Sequence, residues 1–257
     1  MPPDESDEPN RNAQASPGPD WQDMLRALAE GARFLTRLPL SLPFLAPASG
    51  DVARIAWTFP VIGALIGLIE GILYAAGIGL HLGPLTGAIL SVAGGVALTG
   101  ALHEDGLADT FDGFGGGTSR ANKLEIMRDS RLGTYGALGL LFATLLRIAA
   151  LTALAPLGPL RVMLVLIAGE AVARAAMVRL WHELPAARSE GLSASGAPDH
   201  PTMVLAIAIG LGLAILTVLP AAGLYAALWG VAAAAAASLA FTRLCRHQIA
   251  GLAAAFS

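Results

Sequence analysis

The sequence feature that most restricts the fold of this chain is a series of apolar runs. Each run is long enough to cross a bilayer as a helix of roughly 20 residues. They cover residues 55–79, 84–103, 136–156, 161–181, 203–220 and 222–242. The sequence is 55% hydrophobic and 14% charged, with a mean hydropathy of +0.63. Soluble domains seldom have such a composition, whereas bundles of membrane helices do. The sequence therefore predicts an all-α, polytopic integral membrane bundle of about six transmembrane helices.

Two segments precede the first apolar run. Residues 1–20 are rich in aspartate, glutamate and proline and contain no apolar stretch, which predicts a disordered acidic tail and argues against a signal peptide. From Trp21 onward, apolar residues recur at helical spacing while Arg26 and Arg33 take the opposite face. This pattern predicts an amphipathic helix that either lies in the membrane interface or packs on the rest of the protein. Residues 21–257 are expected to form a single transmembrane domain.

A dense group of carboxylates follows the second apolar run, where residues 103–117 read HEDGLADTFDGFGGG. On a helix, Asp105, Asp109 and Asp112 share one face, and Glu104 lies about a quarter turn away. Like charges placed this way repel one another unless a cation lies between them, and oxygen ligands suit Mg²⁺ better than zinc. The alternative is a solvated acidic helix end. Three carboxylates on one face favour a Mg²⁺ site made by these four residues, and the following glycines would end the helix.

A second polar segment, residues 126–136, reads IMRDSRLGTYG. Arg128 and Arg131 lie three residues apart, and guanidinium groups bind phosphate bidentately. Ser130 adds a hydroxyl group, and Gly133 adds a backbone amide. The segment is either a phosphate cradle or a basic loop that only fixes membrane orientation. Its position next to the carboxylates favours the cradle, because Mg²⁺ and arginine together serve phosphoryl transfer.

The basic residues outside the apolar runs predict the orientation of the helices. Those before the first run, between the second and third, after the fourth and after the sixth are Arg26, Arg33, Arg37, Arg54, Arg120, Lys123, Arg128, Arg131, Arg179, Arg188, Arg243 and Arg246. The opposite loops offer only Arg161. By the positive-inside rule, both termini face the cytoplasm. The segment of residues 104–134, which carries both polar motifs and is the candidate active-site loop, faces the same side.

Ionisable residues also lie inside the apolar runs. Glu170 and Arg174 are four residues apart, so one interpretation is that they pair and lower the cost of their burial. The other is that they mark a functional site, together with Arg147, because intramembrane charge is costly. The sequence leaves both open and assigns no role to Glu70.

Composition argues against two further classes of protein. A single cysteine, Cys245, excludes an internal disulfide framework and a cysteine-rich metal site in this sequence. The net charge is −3, and no basic stripe interleaved with aromatic residues occurs. We therefore expect no nucleic-acid partner.

Several segments together resemble one family. They are FLTRLPL at 34–40, FPVIGALIG at 59–67, LHEDGLADTFDGFGGG at 102–117 and IMRDSRLGTYG at 126–136. The chain is similar in them to cobalamin synthase, the adenosylcobinamide-GDP ribazoletransferases of bacterial membranes. Fainter similarity extends through Arg174 and ELPAARSEGL at 183–192. The chain departs from the family's pattern after residues 243–251, where LAAAFS replaces a glycine-rich segment with Thr-Gly-Asp.

The resemblance implies an enzyme with a single transmembrane catalytic domain in the bacterial cytoplasmic (inner) membrane. Its reaction would be a Mg²⁺-dependent transfer that joins adenosylcobinamide-GDP to α-ribazole or α-ribazole 5′-phosphate. The products would be adenosylcobalamin, or its 5′-phosphate, and GMP. The catalytic residues would be Asp105, Asp109 and Asp112, and Arg174 would join the phosphate-binding set. His103 is either a base for a ribazole hydroxyl or an interfacial polar residue at a helix end. A homo-oligomer is compatible with this pattern.

Two other classes remain open from the residues. CDP-alcohol phosphotransferases and aspartate-rich membrane prenyltransferases also hold Mg²⁺ against a diphosphate, but the aspartate spacing at 104–112 differs from theirs. A transporter or cation channel would line a path with the intramembrane charges. Transport folds usually carry internal repeats, and the two halves of this sequence show no convincing repeat.

Overall fold

The computed structural model describes residues 21–39, 51–184 and 196–250, and the predicted acidic tail lies outside them. Within these ranges the regular elements are helices without strands, so the all-α prediction is confirmed. The α-helices are α1 Trp21–Leu35, α2 Val52–Ile55, α3 Phe59–Gly79, α4 Gly83–Thr99, α5 Leu102–Gly116, α6 Arg120–Ile126, α7 Thr134–Ala153, α8 Pro159–Glu183 and α9 His200–Cys245. Short 3₁₀ turns cover Ala56–Thr58 and Ala155–Leu157, and a π-helical turn covers Arg246–Ala250.

Several of these helices are long and apolar enough to cross a membrane, which confirms the membrane character of the chain. In the described residues three segments qualify by length and composition, Val52–Gly79, Thr134–Leu157 and His200–Ile249. The bent pair α4 and α5 makes a fourth if it counts as one span. Helix α8 carries charged residues throughout its length, including Glu170 and Arg174. The number of six crossings stays a prediction.

Helix α9 is a helical hairpin rather than one straight rod. At its N-terminal end, the Pro198 carbonyl lies 2.7 Å from Nδ1 of His182 in α8. Near its C-terminal end, Arg179 of α8 donates to Ser238 Oγ at 2.7 Å. Both ends therefore meet the same end of α8, so the chain must reverse between them. The reversal lies at Gly223, whose φ of 84° favours glycine, and it separates the two apolar runs predicted at 203–220 and 222–242.

Close packing of α3 on α8 follows from the glycine stripe of α3. A Cβ atom at Gly63 would overlap the Glu170 carbonyl, and one at Gly67 would overlap the Leu166 carbonyl. Small residues at this spacing let membrane helices approach closely. The same contact brings Glu70 of α3, which is only 1% exposed, to the face of α8 that carries Glu170.

Helix α1 confirms the predicted amphipathic helix. Its C-terminal half packs on the bundle, where Ala29 and Leu35 are buried. Its first turn leaves Trp21 and Met24 exposed at 65% and 47%. Packing on the protein thus accounts for one half of the helix, and the location of the other half in the membrane interface stays a prediction.

Candidate active site

The carboxylate motif begins at a sharp corner of the backbone. Gly100 and Ala101 both adopt left-handed conformations, with φ of 65° and 60°, and α5 leaves the corner at 91° to α4. The Arg37 side chain lies against Gly100, where a Cβ atom would overlap it. Only glycine adopts this conformation without strain, and only glycine leaves space here for the arginine. The corner places the start of α5 beside α1 and α4.

The three aspartates of the motif lie on α5, as the spacing predicted, but in different environments. Asp105 is exposed, Asp109 is half-buried and Asp112 is buried. Within the described part of the chain, no three His, Cys, Asp or Glu side chains converge closely enough to form a ready-made metal site. The metal-binding role predicted for these residues stays a prediction.

Asp112 joins the two polar motifs. Its Oδ2 accepts a hydrogen bond from the Gly133 amide at 2.8 Å, and its Oδ1 accepts one from the Gly136 amide at 2.8 Å. These amides lie at the N-terminus of α7, where helix geometry leaves N–H groups without partners and favours negative charge. Any side chain at Gly136 would overlap the Asp112 carboxylate. Asp112 therefore fixes the start of α7 against α5.

Replacing Asp112 with Asn should lower the stability of the protein. Asn keeps one acceptor oxygen but turns an NH₂ group toward a backbone N–H, which leaves a buried donor unsatisfied. We expect a loss of about 2 kcal/mol, measured by thermal unfolding in detergent. Asp23→Asn, at an exposed position of α1, is the matched control. Equal melting temperatures for the Asp112 variant and the parent would contradict a stabilising role for the two hydrogen bonds of Asp112.

The predicted phosphate cradle is exposed, and part of it is engaged within the chain. Nε of Arg131 lies 3.0 Å from both carboxylate oxygens of Asp129, and this hydrogen bonding holds the pKa of Asp129 below its ordinary value. The Gly133 amide is bound to Asp112. Arg128 is exposed, as is Ser130. Within the described residues, Arg128 has no carboxylate neighbour at this distance.

The structure brings the intramembrane charges together in one network. Nη2 of Arg147 in α7 lies 3.1 Å from Oε1 of Glu70 in α3 and 3.0 Å from Oε1 of Glu170 in α8. Glu170 also pairs with Arg174. Nη1 of Arg147 lies 3.8 Å from Oε1 of Glu104 in α5. The network thus links the carboxylate motif on α5 to α3, α7 and α8.

A cavity of about 430 Å³ opens beside this network, and we call it the charged cavity. It is lined by Glu70, Gly95, Thr99, His103, Glu104, Leu107, Arg147, Glu170, Ala173, Arg174, Ala176, Met177 and Leu180. Gly95 of α4 leaves the space that the Glu70 side chain occupies beside the cavity, because a Cβ atom at this position would overlap the Glu70 carboxylate. His103, Glu104 and Arg174, which the sequence assigned to separate roles, all meet here.

Sequence reasoning missed two features of this region. Glu70 was assigned no role, although charge within an apolar run was the available signal, and its pairing with Arg147 was not predicted. A second polar cavity of about 460 Å³, beside the start of α5, is lined by Arg33, Arg37 and Asp105 among others. From the sequence, these arginines were assigned to the polar face of the first helix and to the orientation of the membrane helices, and to no site.

Apolar helices around a charged cavity, with a carboxylate-bearing helix at its edge, define an α-helical integral membrane protein with a polar ligand site. Comparison of sequences specifies the family. The sequence model described as cobalamin-5-phosphate synthase matches residues 27–253. The chain belongs to that family, which confirms the resemblance read from its motifs and the prediction of a transferase of cobalamin synthesis.

Relatives named adenosylcobinamide-GDP ribazoletransferase match nearly the whole chain. The protein of Azorhizobium caulinodans is 44% identical over 231 residues, 89% of this chain and 88% of that protein. The protein of Allorhizobium ampelinum is 42% identical over 226 residues, 87% of each chain. The protein of Brucella anthropi is 39% identical over 231 residues, 89% of this chain and 87% of that protein. No solved structure matches the chain.

Proposed function

We propose that this protein joins adenosylcobinamide-GDP to α-ribazole, or to α-ribazole 5′-phosphate, with release of GMP and with a requirement for Mg²⁺. The observation that carries the proposal is the arrangement around α5. One side of this helix bears Asp105 and Asp109, and residues at its start line the charged cavity. Family membership favours this reaction over a CDP-alcohol phosphotransferase, a prenyltransferase or a transporter.

The aspartates of α5 are suited to Mg²⁺ by the chemistry of their donor atoms. Asp105 and Asp109 supply carboxylate oxygens on one helix face, and such hard oxygen ligands are those that Mg²⁺ takes in phosphoryl-transfer sites. Asp112 keeps lone pairs on both oxygens after it accepts its two backbone hydrogen bonds. A bound Mg²⁺ ion would neutralise charge on the diphosphate. Glu104 is directed toward Arg147, and we assign it to the cavity rather than to the metal.

The transfer needs positioned groups rather than a protein nucleophile. The acceptor oxygen forms a bond to the phosphorus on the cobinamide side of the diphosphate, the bond from that phosphorus to the bridging oxygen breaks, and GMP leaves with that oxygen. The proton of the attacking hydroxyl passes to Nε2 of His103, which is buried and has no hydrogen-bond partner within the described residues. Holding donor and acceptor in line supplies much of the acceleration.

Two groups of arginines are suited to the diphosphate. Arg128 lies on the segment that Asp112 clamps to α5. Arg37 lies with Asp105 in the second polar cavity. Guanidinium groups on either side of the aspartates would hold phosphate oxygens by charge-assisted hydrogen bonds.

Replacing Arg128 with Ala should weaken the binding of adenosylcobinamide-GDP. A lost charge-assisted contact costs on the order of 2 kcal/mol, or about 30-fold in KM. Steady-state kinetics of GMP release measure the effect, with Arg243→Ala, an exposed change at the end of α9, as control. If the Arg128 variant keeps the parent's KM for adenosylcobinamide-GDP, Arg128 does not bind this substrate. The segment would then serve only to fix the orientation of the helices in the membrane.

We also propose the bacterial inner membrane as location, with the segment 104–134 and both termini on the cytoplasmic side, from the distribution of basic residues. Ser119 is exposed between α5 and α6. In a variant with Cys245→Ala and Ser119→Cys, a thiol reagent that cannot cross the membrane should label inside-out vesicles and leave intact cells unlabelled. Labelling in intact cells would reverse the orientation.

Identification of the products tests the proposed function. Purified protein with Mg²⁺ receives adenosylcobinamide-GDP and, in parallel reactions, α-ribazole, its 5′-phosphate or no acceptor. We expect GMP and a corrinoid of increased mass in equal amounts, and only where an acceptor is present. Absence of both products with either acceptor would contradict the proposal, and GMP without the corrinoid product would indicate a hydrolase.

A further inference from the structure

We propose that the charged cavity binds the sugar end of the acceptor riboside through its vicinal hydroxyl groups. The inference rests on the proposed function, and it assigns a subsite that neither the sequence motifs nor the family match locates. Four observations carry it: the unpartnered polar atoms, the balance of charge, the size of the cavity and its apolar wall.

Three side-chain atoms that line the cavity are buried and have no hydrogen-bond partner within the described residues. They are Nε2 of His103, Oε2 of Glu104 and Nε of Arg174. Arg174 is only 7% exposed. Leaving a buried polar atom without a partner costs about 1–3 kcal/mol, so a polar ligand that bonds to all three atoms would be favoured here.

The chemistry of these atoms matches hydroxyl groups. Oε2 of Glu104 accepts a hydrogen bond, Nε–H of Arg174 donates one, and the neutral His103 ring does either according to its tautomer. A hydroxyl group both donates and accepts. A pair of neighbouring hydroxyls, as on a ribose ring, would satisfy all three atoms together, which a phosphate could not do because it offers no proton to Glu104.

The charge in the cavity also disfavours an anion. Its lining carries the carboxylates Glu70, Glu104 and Glu170 against the guanidinium groups of Arg147 and Arg174. Arg147 lies near all three carboxylates, and Arg174 pairs with Glu170. The cations are therefore already matched, and a neutral polar group fits better than a phosphate.

The size of the cavity and its apolar lining residues select an amphipathic ligand. A volume of about 430 Å³ is at the smaller end of ligand pockets, which span about 300–1,000 Å³. It admits a nucleoside-sized molecule and is too small for a corrin nucleotide. Leu107, Met177 and Leu180 line it as well, and they offer apolar contact to an aromatic base. The acceptor rather than the donor thus fits this cavity.

Direct binding of α-ribazole tests the assignment without turnover. Calorimetric titration of the detergent-solubilised full chain measures its Kd for α-ribazole and for an analogue whose vicinal hydroxyls are blocked by an isopropylidene group. Glu104→Gln removes the charged acceptor, and Leu107→Phe fills the cavity without changing its charge. Glu183→Gln, an ion-paired position outside the cavity, is the matched control.

We expect α-ribazole to bind the parent and the Glu183 variant alike, and each cavity variant at least about tenfold more weakly. The blocked analogue should bind the parent as weakly as α-ribazole binds the cavity variants. In kinetics of GMP release, the KM for the acceptor should rise while the KM for adenosylcobinamide-GDP stays unchanged. Unchanged acceptor Kd in both cavity variants would overturn the assignment.

The two proposals fail in different ways. A parent protein that binds α-ribazole through these residues but releases no GMP would refute the proposed function and keep the cavity assignment. A parent that releases GMP while both cavity variants keep its acceptor Kd and KM would refute the cavity assignment alone. A parent that neither binds α-ribazole nor releases GMP refutes both.

Discussion

Replacing Arg147 with Ala is expected to destabilise the protein strongly. The guanidinium group lies within 3.1 Å of oxygens of both Glu70 and Glu170, and Glu70 is almost completely buried. Removing one partner of a buried ion pair costs about 3–5 kcal/mol. The Arg147 side chain is 39% exposed, so we expect the lower end, about 3 kcal/mol, or on the order of 10 °C in melting temperature.

A second change separates the loss of charge balance from the loss of packing. Adding Glu70→Gln to Arg147→Ala removes one of the stranded carboxylates and should recover part of the lost stability. Arg161→Ala, an exposed change near the start of α8, is the control and should melt with the parent. If Arg147→Ala melts like the control, the network contributes nothing to the fold and our reading of these intramembrane charges is wrong.

Replacing Asp109 with Asn is expected to abolish most of the turnover while leaving the fold intact. Asp105 and Asp109 repel each other along the helix, and removing one charge relieves a few tenths of a kcal/mol. The same change takes a charged ligand from the proposed metal. We expect turnover to fall on the order of 100-fold, corresponding to about 2.7 kcal/mol, with a weaker dependence on Mg²⁺.

The comparison with Asp112→Asn gives this prediction its specificity. Asp112 is one turn further along α5 and binds two backbone amides, so its variant should lose stability as well as any contribution to turnover. Measurement of GMP release over a range of Mg²⁺ concentrations, beside thermal unfolding of each protein, separates the two effects. If Asp109→Asn keeps full turnover and depends on Mg²⁺ as the parent does, the motif is a structural acidic face and not a metal site.

The sequence predicted the parts of this fold that depend on local pattern. Apolar runs of sufficient length predicted the helices, and Gly63 and Gly67 have the spacing of small residues at close helix contacts, such as their contact with α8. The last two runs were predicted as separate segments that meet at residue 221, two residues before the break at Gly223. These features need only composition and periodicity within a short window.

The sequence could not predict features that depend on distant partners. Asp112 was predicted to share a metal-binding face with Asp105 and Asp109, and nothing in the local pattern indicates that its carboxylate also accepts hydrogen bonds from amides 21 and 24 residues further along the chain. Glu70 and Arg147 are 77 residues apart in sequence and lie on different helices. No periodicity within either helix indicates that they pair. The place of Glu104 in the cavity follows from the corner at Gly100, which rotates α5 away from the axis of α4.

Metal binding is the most direct test of the central claim that the aspartate face of α5 holds the reactive metal. Mn²⁺ replaces Mg²⁺ at many oxygen sites, and its electron paramagnetic resonance signal distinguishes bound from free ion. With adenosylcobinamide-GDP present, the parent and Glu183→Gln should bind Mn²⁺ that Mg²⁺ displaces. The double variant Asp105→Asn with Asp109→Asn should bind at least about 100-fold more weakly. Equal Mn²⁺ binding by the parent and the double variant would contradict the account.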